Sequence, residues 1–271
     1  LKTESGEQVG YEKLVLATGS VPMVPPIPGF DRQNVFPVHK DVEHLRTMQE
    51  TMNASKKIVV IGGGFIGVEV SDEINKLENM EVTVCELLPH CLQLAFDSEF
   101  CVEAEKLLAE RGVRVMANQK VTSIEGNHKA TGVKLGDGTV LDADMVIIGI
   151  GTVANVELAE KAGLRLGPTG SIWVDRTMRT TDEHIFACGD CAEKFSYFGG
   201  KPSKLKLASI ASSEARIAGA NLFGIQRENV GTIGVFSSAL GERSFAVAGL
   251  SETFAREQGY DIITGMAEGP N

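Results

Sequence analysis

Hydrophobic and polar positions change period along the chain. Short, continuous β-branched runs alternate with longer stretches whose apolar residues recur at helical spacing, the pattern of a parallel α/β fold. It is clearest at 57–86, where Lys57-Ile-Val-Val-Ile reads as a buried strand, the glycine turn leads into an amphipathic helical stretch, and Val82-Thr-Val-Cys-Glu86 reads as a second strand. Upstream, 1–9 reads as a strand, a Ser-Gly turn and a return strand. Residues 11–20 read as a buried strand ending on a small polar turn, and 21–29, with four prolines, as a stiff connector suited to a domain crossing. A helix is expected over 41–52 with Asp41 as N-cap.

Downstream, Asp97-Ser98-Glu99 should cap a helix with Phe100, Ala104, Leu107 and Leu108 on its apolar face, ended by Gly112. The spacing then predicts a strand at 113–116, antiparallel strands at 120–125, 132–135 and 139–141 with Gly136-Asp137-Gly138 as a hairpin turn, and an apolar strand at 144–149. After Gly170 another short strand is expected, ending in the glycine–acid pair Gly189-Asp190. A helix rich in Ala, Ser and Gly follows over 203–224; its small residues serve either close backbone approach or packing against a sheet. From Gly231 the pattern reads β–β–α–β, with the last strand at 260–264, too little to enclose a core of its own.

The turn between the strands at 57–61 and 82–86 carries chemistry. Gly62, Gly64 and Gly67 form Gly-x-Gly-x-x-Gly, and Glu86 closes the unit nineteen positions later. Gly62 permits the tight turn, Gly64 lets backbone approach a pyrophosphate, and Gly67 lets helix and strand pack closely. The helix N-terminus offers N–H groups and a positive dipole end. Glu86 stands where a carboxylate accepts ribose hydroxyls. A simple packing turn needs neither three glycines at this spacing nor a terminal acid. The unit is read as a dinucleotide site.

Composition narrows the class. The 271 residues are 43% hydrophobic and 23% charged, with no secretory pattern at the start and no apolar run long enough to span a bilayer. The net charge of −10 argues against a nucleic-acid surface and against anionic membranes. Five cysteines (85, 91, 101, 188, 191) form no regular framework, which suits a reducing compartment, most simply the cytoplasm. Cys188-Gly-Asp-Cys191 is a literal Cys-x-x-Cys, but no second pair or His-x-His completes a zinc set; the thiols are read as incidental, with no metal site.

Four segments together resemble the FAD-dependent pyridine nucleotide–disulfide oxidoreductases, most of all the single-cysteine branch of coenzyme A disulfide reductase, NADH oxidase and NADH peroxidase. They are Tyr11-Glu-Lys-Leu-Val-Leu-Ala-Thr-Gly-Ser with Pro25-Pro-Ile-Pro-Gly29, the Gly62–Glu86 unit, Gly149 to Asn155, and Phe186-Ala-Cys-Gly-Asp190. Residues 208–224 and Val247-Ala-Gly-Leu-Ser-Glu252 extend the likeness over nearly the whole chain. The resemblance implies a Rossmann-like βαβ NAD domain with a β-meander, inserted in a partial FAD domain, plus the start of an α+β interface domain. Its limits would be 1–52 (FAD domain, first segment), 53–170 (NAD domain), 171–229 (FAD domain, second segment) and 230–271 (a truncated C-terminal dimerisation domain).

The resemblance implies that Ala17, Thr18 and Gly19 turn near the flavin nucleotide. Ile66 and Glu69 would line the nicotinamide side, Glu86 would accept the adenosine ribose, and Gly151 would border the NAD path. Asp190, after Gly189, would bond the FAD ribityl and phosphate region, and Ala208 would open a helix aimed at the flavin's pyrimidine edge. On local grounds alone Asp190 also suits a turn aspartate, and Glu69 a first-turn glutamate facing the dipole.

Departures are as informative. None of the five cysteines matches the family's redox position, Ala95 stands where the branch can carry a tyrosine, and Thr152-Val-Ala-Asn155 replaces Arg-Pro-Asn. The expectation is a fragment, with the first FAD glycine motif and the redox cysteine upstream of Leu1. The expected activity of the intact protein is hydride transfer from NADH to FAD and on to a small thiol or disulfide, peroxide or oxygen acceptor, in a homodimer. The alternatives are an NADH–ferredoxin or rubredoxin reductase, and a non-catalytic nucleotide-binding piece that keeps little flavin by itself.

Overall fold

The computed structural model describes residues 1–267 and 269. The chain folds as two compact units, Leu1–Val21 with Thr152–Gly234, and Pro22–Gly151 with Val235–Asn271.

The second unit is built on a five-stranded, all-parallel sheet in the order Val35–Pro37, Met145–Ile148, Lys57–Ile61, Glu81–Cys85, Arg114–Met116. Its strands read as unbroken apolar runs because both faces are covered. Ile58, Val60, Val82, Val84, Met145 and Ile147 face a core shared with the helices Val42–Asn53, Phe65–Asn75 and Ser98–Glu110. Their neighbours Val59, Ile61, Cys85, Val146 and Ile148 face a second core with Ile124, Val133, Leu135 and Leu141. Those last come from the antiparallel meander Val121–Gly126, Ala130–Leu135, Val140–Asp142. The fold is therefore a helix–sheet–meander sandwich, of the expected α/β class.

Several expectations within this unit are corrected. In the Ser98–Glu110 helix the buried residues are Cys101, Ala104 and Leu108, while Phe100 is 47% exposed. Asp97 takes the N-cap position but makes no side-chain bond to that helix. Its carboxylate instead accepts from Glu252 N (2.8 Å), Thr253 N (2.9 Å) and Thr253 Oγ1 (2.6 Å), capping the first turn of the helix Glu252–Glu257. The C-terminal stretch packs on this unit. Its hairpin, Val235–Leu240 with Arg243–Ala248, stacks Phe236 on Phe65 with ring centroids 5.3 Å apart and buries Leu240 and Phe245 in the helical core. Residues 260–264 form no strand, and the expected domain's residues 268, 270 and 271 lie outside the described residues.

The first unit pairs Leu14–Leu16 in parallel with Ile185–Ala187 over a core of Leu16, Ile172, Val174, Met178, Phe186 and Ala218, flanked by the helix Ala208–Leu222. That helix starts at 208, not 203. Residues 171–175 form no strand; Ile172 makes only isolated bridges, to Leu166 and Ala192.

The two compact units divide at 21/22 and 151/152. Val35–Pro37 joins the large sheet beside Met145–Ile148, and Met48 of the next helix enters its core. Residues after 151 belong with the first unit because Ala159 and Leu164 are buried in its core.

Candidate functional site

In the larger unit, the strands' carboxyl ends carry the sequence-predicted groups. Gly62 follows Lys57–Ile61, Glu86 follows Glu81–Cys85, and Gly151 lies just past Met145–Ile148, the edge at which open parallel sheets bind ligands. Gly62 adopts φ +106°, and a Cβ there would lie 2.6 Å from Gly149 O. A Cβ on Gly67 would lie 1.8 Å from Gly62 O, so this glycine is required by backbone packing between helix and turn. Gly64 is different. It is exposed, N-caps the Phe65–Asn75 helix without a side-chain partner, and a Cβ on it would meet nothing within 4 Å. The open space beside Gly64 adjoins a helix N-terminus with no acid in its first turn, a cradle fit for a phosphate.

Glu86 is buried beneath this turn. Its Oε2 accepts the Gly63 N–H, and its Oε1 accepts the Leu88 N–H at 2.7 Å. Two backbone donors thus fix the carboxylate's orientation, and each oxygen keeps a lone pair for a further donor. Ile66 is 37% exposed on the helix's first turn, and Glu69 is exposed one turn further on, beyond the reach of a first-turn role at the dipole. Gly151 has φ +102° and open space around it. The 57–86 groups therefore assemble at one strand edge.

In the smaller unit, Ala17, Thr18 and Gly19 form the turn that leaves the Leu14–Leu16 strand. Thr18 Oγ1 donates to Asn155 O at 2.6 Å, Asn155 N donates to Gly19 O at 2.9 Å, and Gly19 has φ +71° with space beside it. Ser20 Oγ donates to Asp190 Oδ2 at 2.8 Å, which joins the two sequence-distant segments. Gly189 turns with φ +79°, and Ala208 is exposed at the start of its helix, whose N-cap Leu207 offers no side-chain acceptor. Sequence reasoning missed Ser20, Asn155's part in the turn and the buried pair Lys194–Glu214. The hydroxyl after Thr18-Gly19 was the only available signal, and a weak one.

The five thiols are free and buried. Burial pushes Cys85 and Cys91 up to about 12 and Cys101 and Cys188 up to about 11, so these four are uncharged and weakly nucleophilic at neutral pH. Cys191 Sγ contacts Cys188 O at 3.3 Å and Leu16 O at 3.5 Å, as a packed thiol does. Among the described residues no cluster could hold a metal ion, and no helix is long and apolar enough to cross a membrane.

Residues 1–215 match the family model of the pyridine nucleotide-disulphide oxidoreductases. The chain belongs to that family. It is 32% identical to an NADH oxidase of Methanocaldococcus jannaschii over 96% of this chain and 58% of that protein. It is equally 32% identical to a CoA-dependent NAD(P)H sulfur oxidoreductase of Pyrococcus furiosus, over 96% of this chain and 59% of that one. Among solved structures, an NAD-dependent persulfide reductase from A. fulgidus superposes with a TM-score of 0.90 at 35% identity, over 96% of this chain and 48% of its own. The chain thus spans about half the length of the relatives it matches.

Proposed function

We propose that this chain contributes the NADH site and part of the FAD site of a flavoprotein oxidoreductase whose acceptor is a small thiol or disulfide, peroxide or oxygen. The observation that carries the reading is the Gly64 cradle, open at a helix N-terminus above a Glu86 held by two backbone N–H groups. The names of the relatives, NADH oxidase and CoA-dependent sulfur oxidoreductase, support the donor and the acceptor class.

In this reading the N–H groups at the start of the Phe65–Asn75 helix receive the pyrophosphate of NADH, and Gly64 and Gly151 leave room for it. Glu86 accepts the adenosine ribose hydroxyls, and Ile66 and Glu69 line the nicotinamide end. Ala17, Thr18, Gly19 and Asp190 hold the flavin nucleotide, with the Ser20 hydroxyl steering the Asp190 carboxylate. The N-terminus of the Ala208–Leu222 helix supplies positive potential toward the flavin ring. Bound there, FAD would supply the hydride acceptor for NADH and the carrier of its electrons to the acceptor. The protein's share is to orient the two and keep water away. No cysteine of this chain is assigned a catalytic role. We place the protein in the cytoplasm as a homodimer, the first from its irregular, unpaired cysteines and the second from the resemblance.

A buried carboxylate at the ribose position repels a 2′-phosphate. NADPH should therefore bind at least about tenfold more weakly than NADH in calorimetric titration, and Glu86→Gln should narrow the gap. Equal affinities for the two nucleotides would remove Glu86 from this role.

A further inference from the structure

Beneath Gly189 and Asp190 lies a buried ion pair that the proposed site does not use. Glu214 projects from the Ala208–Leu222 helix, and its Oε2 accepts the Gly189 N–H at 2.8 Å. Lys194 Nζ donates to Gly189 O at 2.5 Å and to Ala192 O at 3.0 Å, and lies 3.3 Å from Glu214 Oε2. The two charged side chains are 2% and 1% exposed. Together they close a ring around one peptide unit on either side of a single residue: the N–H of Gly189 to the carboxylate, the carboxylate to the ammonium, the ammonium to the Gly189 carbonyl.

Gly189 sits at φ +79° in a turn that Ala211, one helical turn before Glu214, approaches closely. Left-handed backbone at a flexible glycine has little to define it, whereas bonds at both its polar groups leave the turn one geometry. The next residue is Asp190, whose carboxylate is steered from the other side by Ser20 Oγ at 2.8 Å. A buried ion pair is a poor source of stability, since apolar residues of like volume often do as well or better. The pair is thus better explained by the geometry it imposes than by the energy it contributes. Burial raises the Glu214 carboxyl above its ordinary value, and Lys194 and the Gly189 N–H oppose the rise.

We propose that Glu214 and Lys194 are positioning residues that clamp Gly189 at both its polar groups and so aim the Asp190 carboxylate at the flavin nucleotide. The inference rests on the flavin reading given above and adds residues to it. Neither residue touches the cofactor in this account; both act through the turn.

The test is a double-mutant cycle on FAD affinity, read by flavin fluorescence in the full-length protein, with Gly189 amide hydrogen exchange as the second measurement. Lys194→Met with Glu214→Leu replaces the pair by apolar volume, which keeps the core filled. It should weaken FAD binding at least about tenfold and speed Gly189 exchange by a similar factor. Glu214→Gln keeps an acceptor for the Gly189 N–H and should stay within about threefold of wild type on both readouts. In an Asp190→Asn background the Met/Leu replacement should cost less than about twofold more, because its effect runs through that carboxylate. Full-strength loss in the Asp190→Asn background, unchanged affinity with the pair removed, or unchanged Gly189 exchange overturns the positioning role while leaving the flavin reading intact. A wild-type protein that holds no FAD overturns the flavin reading, and this inference with it.

Discussion

Three glycines spaced two and three residues apart do different jobs, and substitution separates them. Gly67 is closed in by Gly62 O, so Gly67→Ala drives a methyl group into backbone and should destabilise the protein by about 3 kcal/mol or more. Gly64→Ala meets nothing within 4 Å at a φ of −73° that alanine adopts freely. Its unfolding midpoint should stay within about 2 °C of wild type, while NADH binds at least about tenfold more weakly. Thermal melts and nucleotide titrations of the two variants check both halves. A Gly64→Ala protein with unchanged NADH affinity would take the phosphate away from this turn. The glycines and Glu86 were legible in the sequence because their function sets their spacing within one thirty-residue unit. Ser20–Asp190 and Glu214–Gly189 were not, because they join positions 170 and 25 apart with no repeating period to announce them.

At the scale of elements, the apolar alternation read the sheet well and one helix face less well. Phe100 is expected inward on hydrophobicity alone, yet the buried stripe takes Cys101 in its place beside the expected Ala104 and Leu108. Cysteine buries like a small hydrophobe, which is why it competes for that face. Asp97 was legible as a cap, but the capped helix lies 155 residues away, a pairing only the fold reveals. The C-terminal hairpin gives an element-level prediction. Ending the chain after Gly234 removes the Phe236 stack on Phe65 and the buried Leu240 and Phe245, worth about 2 kcal/mol for each buried side chain. The truncated protein should melt several degrees lower and bind a hydrophobic dye; an unchanged melt would mean that the hairpin does not stabilise this unit.

Asp144 ties two strands together and makes their union pH-dependent. Its Oδ2 accepts from Lys57 N at 2.9 Å and Lys56 N at 3.0 Å, and these bonds hold its pKa below the ordinary 3.8. A carboxylate with a depressed folded pKa contributes stability that is fully present above its unfolded value and is lost as pH falls through the folded one. Urea midpoints should therefore fall as pH drops below about 4, and more shallowly in Asp144→Asn. Identical acid slopes in the two proteins would show that the strand tie does not depend on the charge.

For the whole molecule, the compact units divide between Val21 and Pro22, at the start of the proline-rich stretch 21–29. The return crossing at Gly151–Thr152 fell at a glycine that the sequence reading had assigned to the nucleotide path instead. Neither Val35–Pro37 nor the short Glu157–Lys161 helix announced itself, being too brief for any period to show. The proposed function turns on hydride passing from NADH to flavin, and anaerobic titration of the full-length protein with NADH tests it most directly. The flavin's visible absorbance should bleach with one equivalent of NADH, and Gly64→Ala should bleach only at much higher NADH while keeping its flavin. A flavin that NADH leaves oxidised, or a Gly64→Ala protein that bleaches as readily as wild type, would contradict the account.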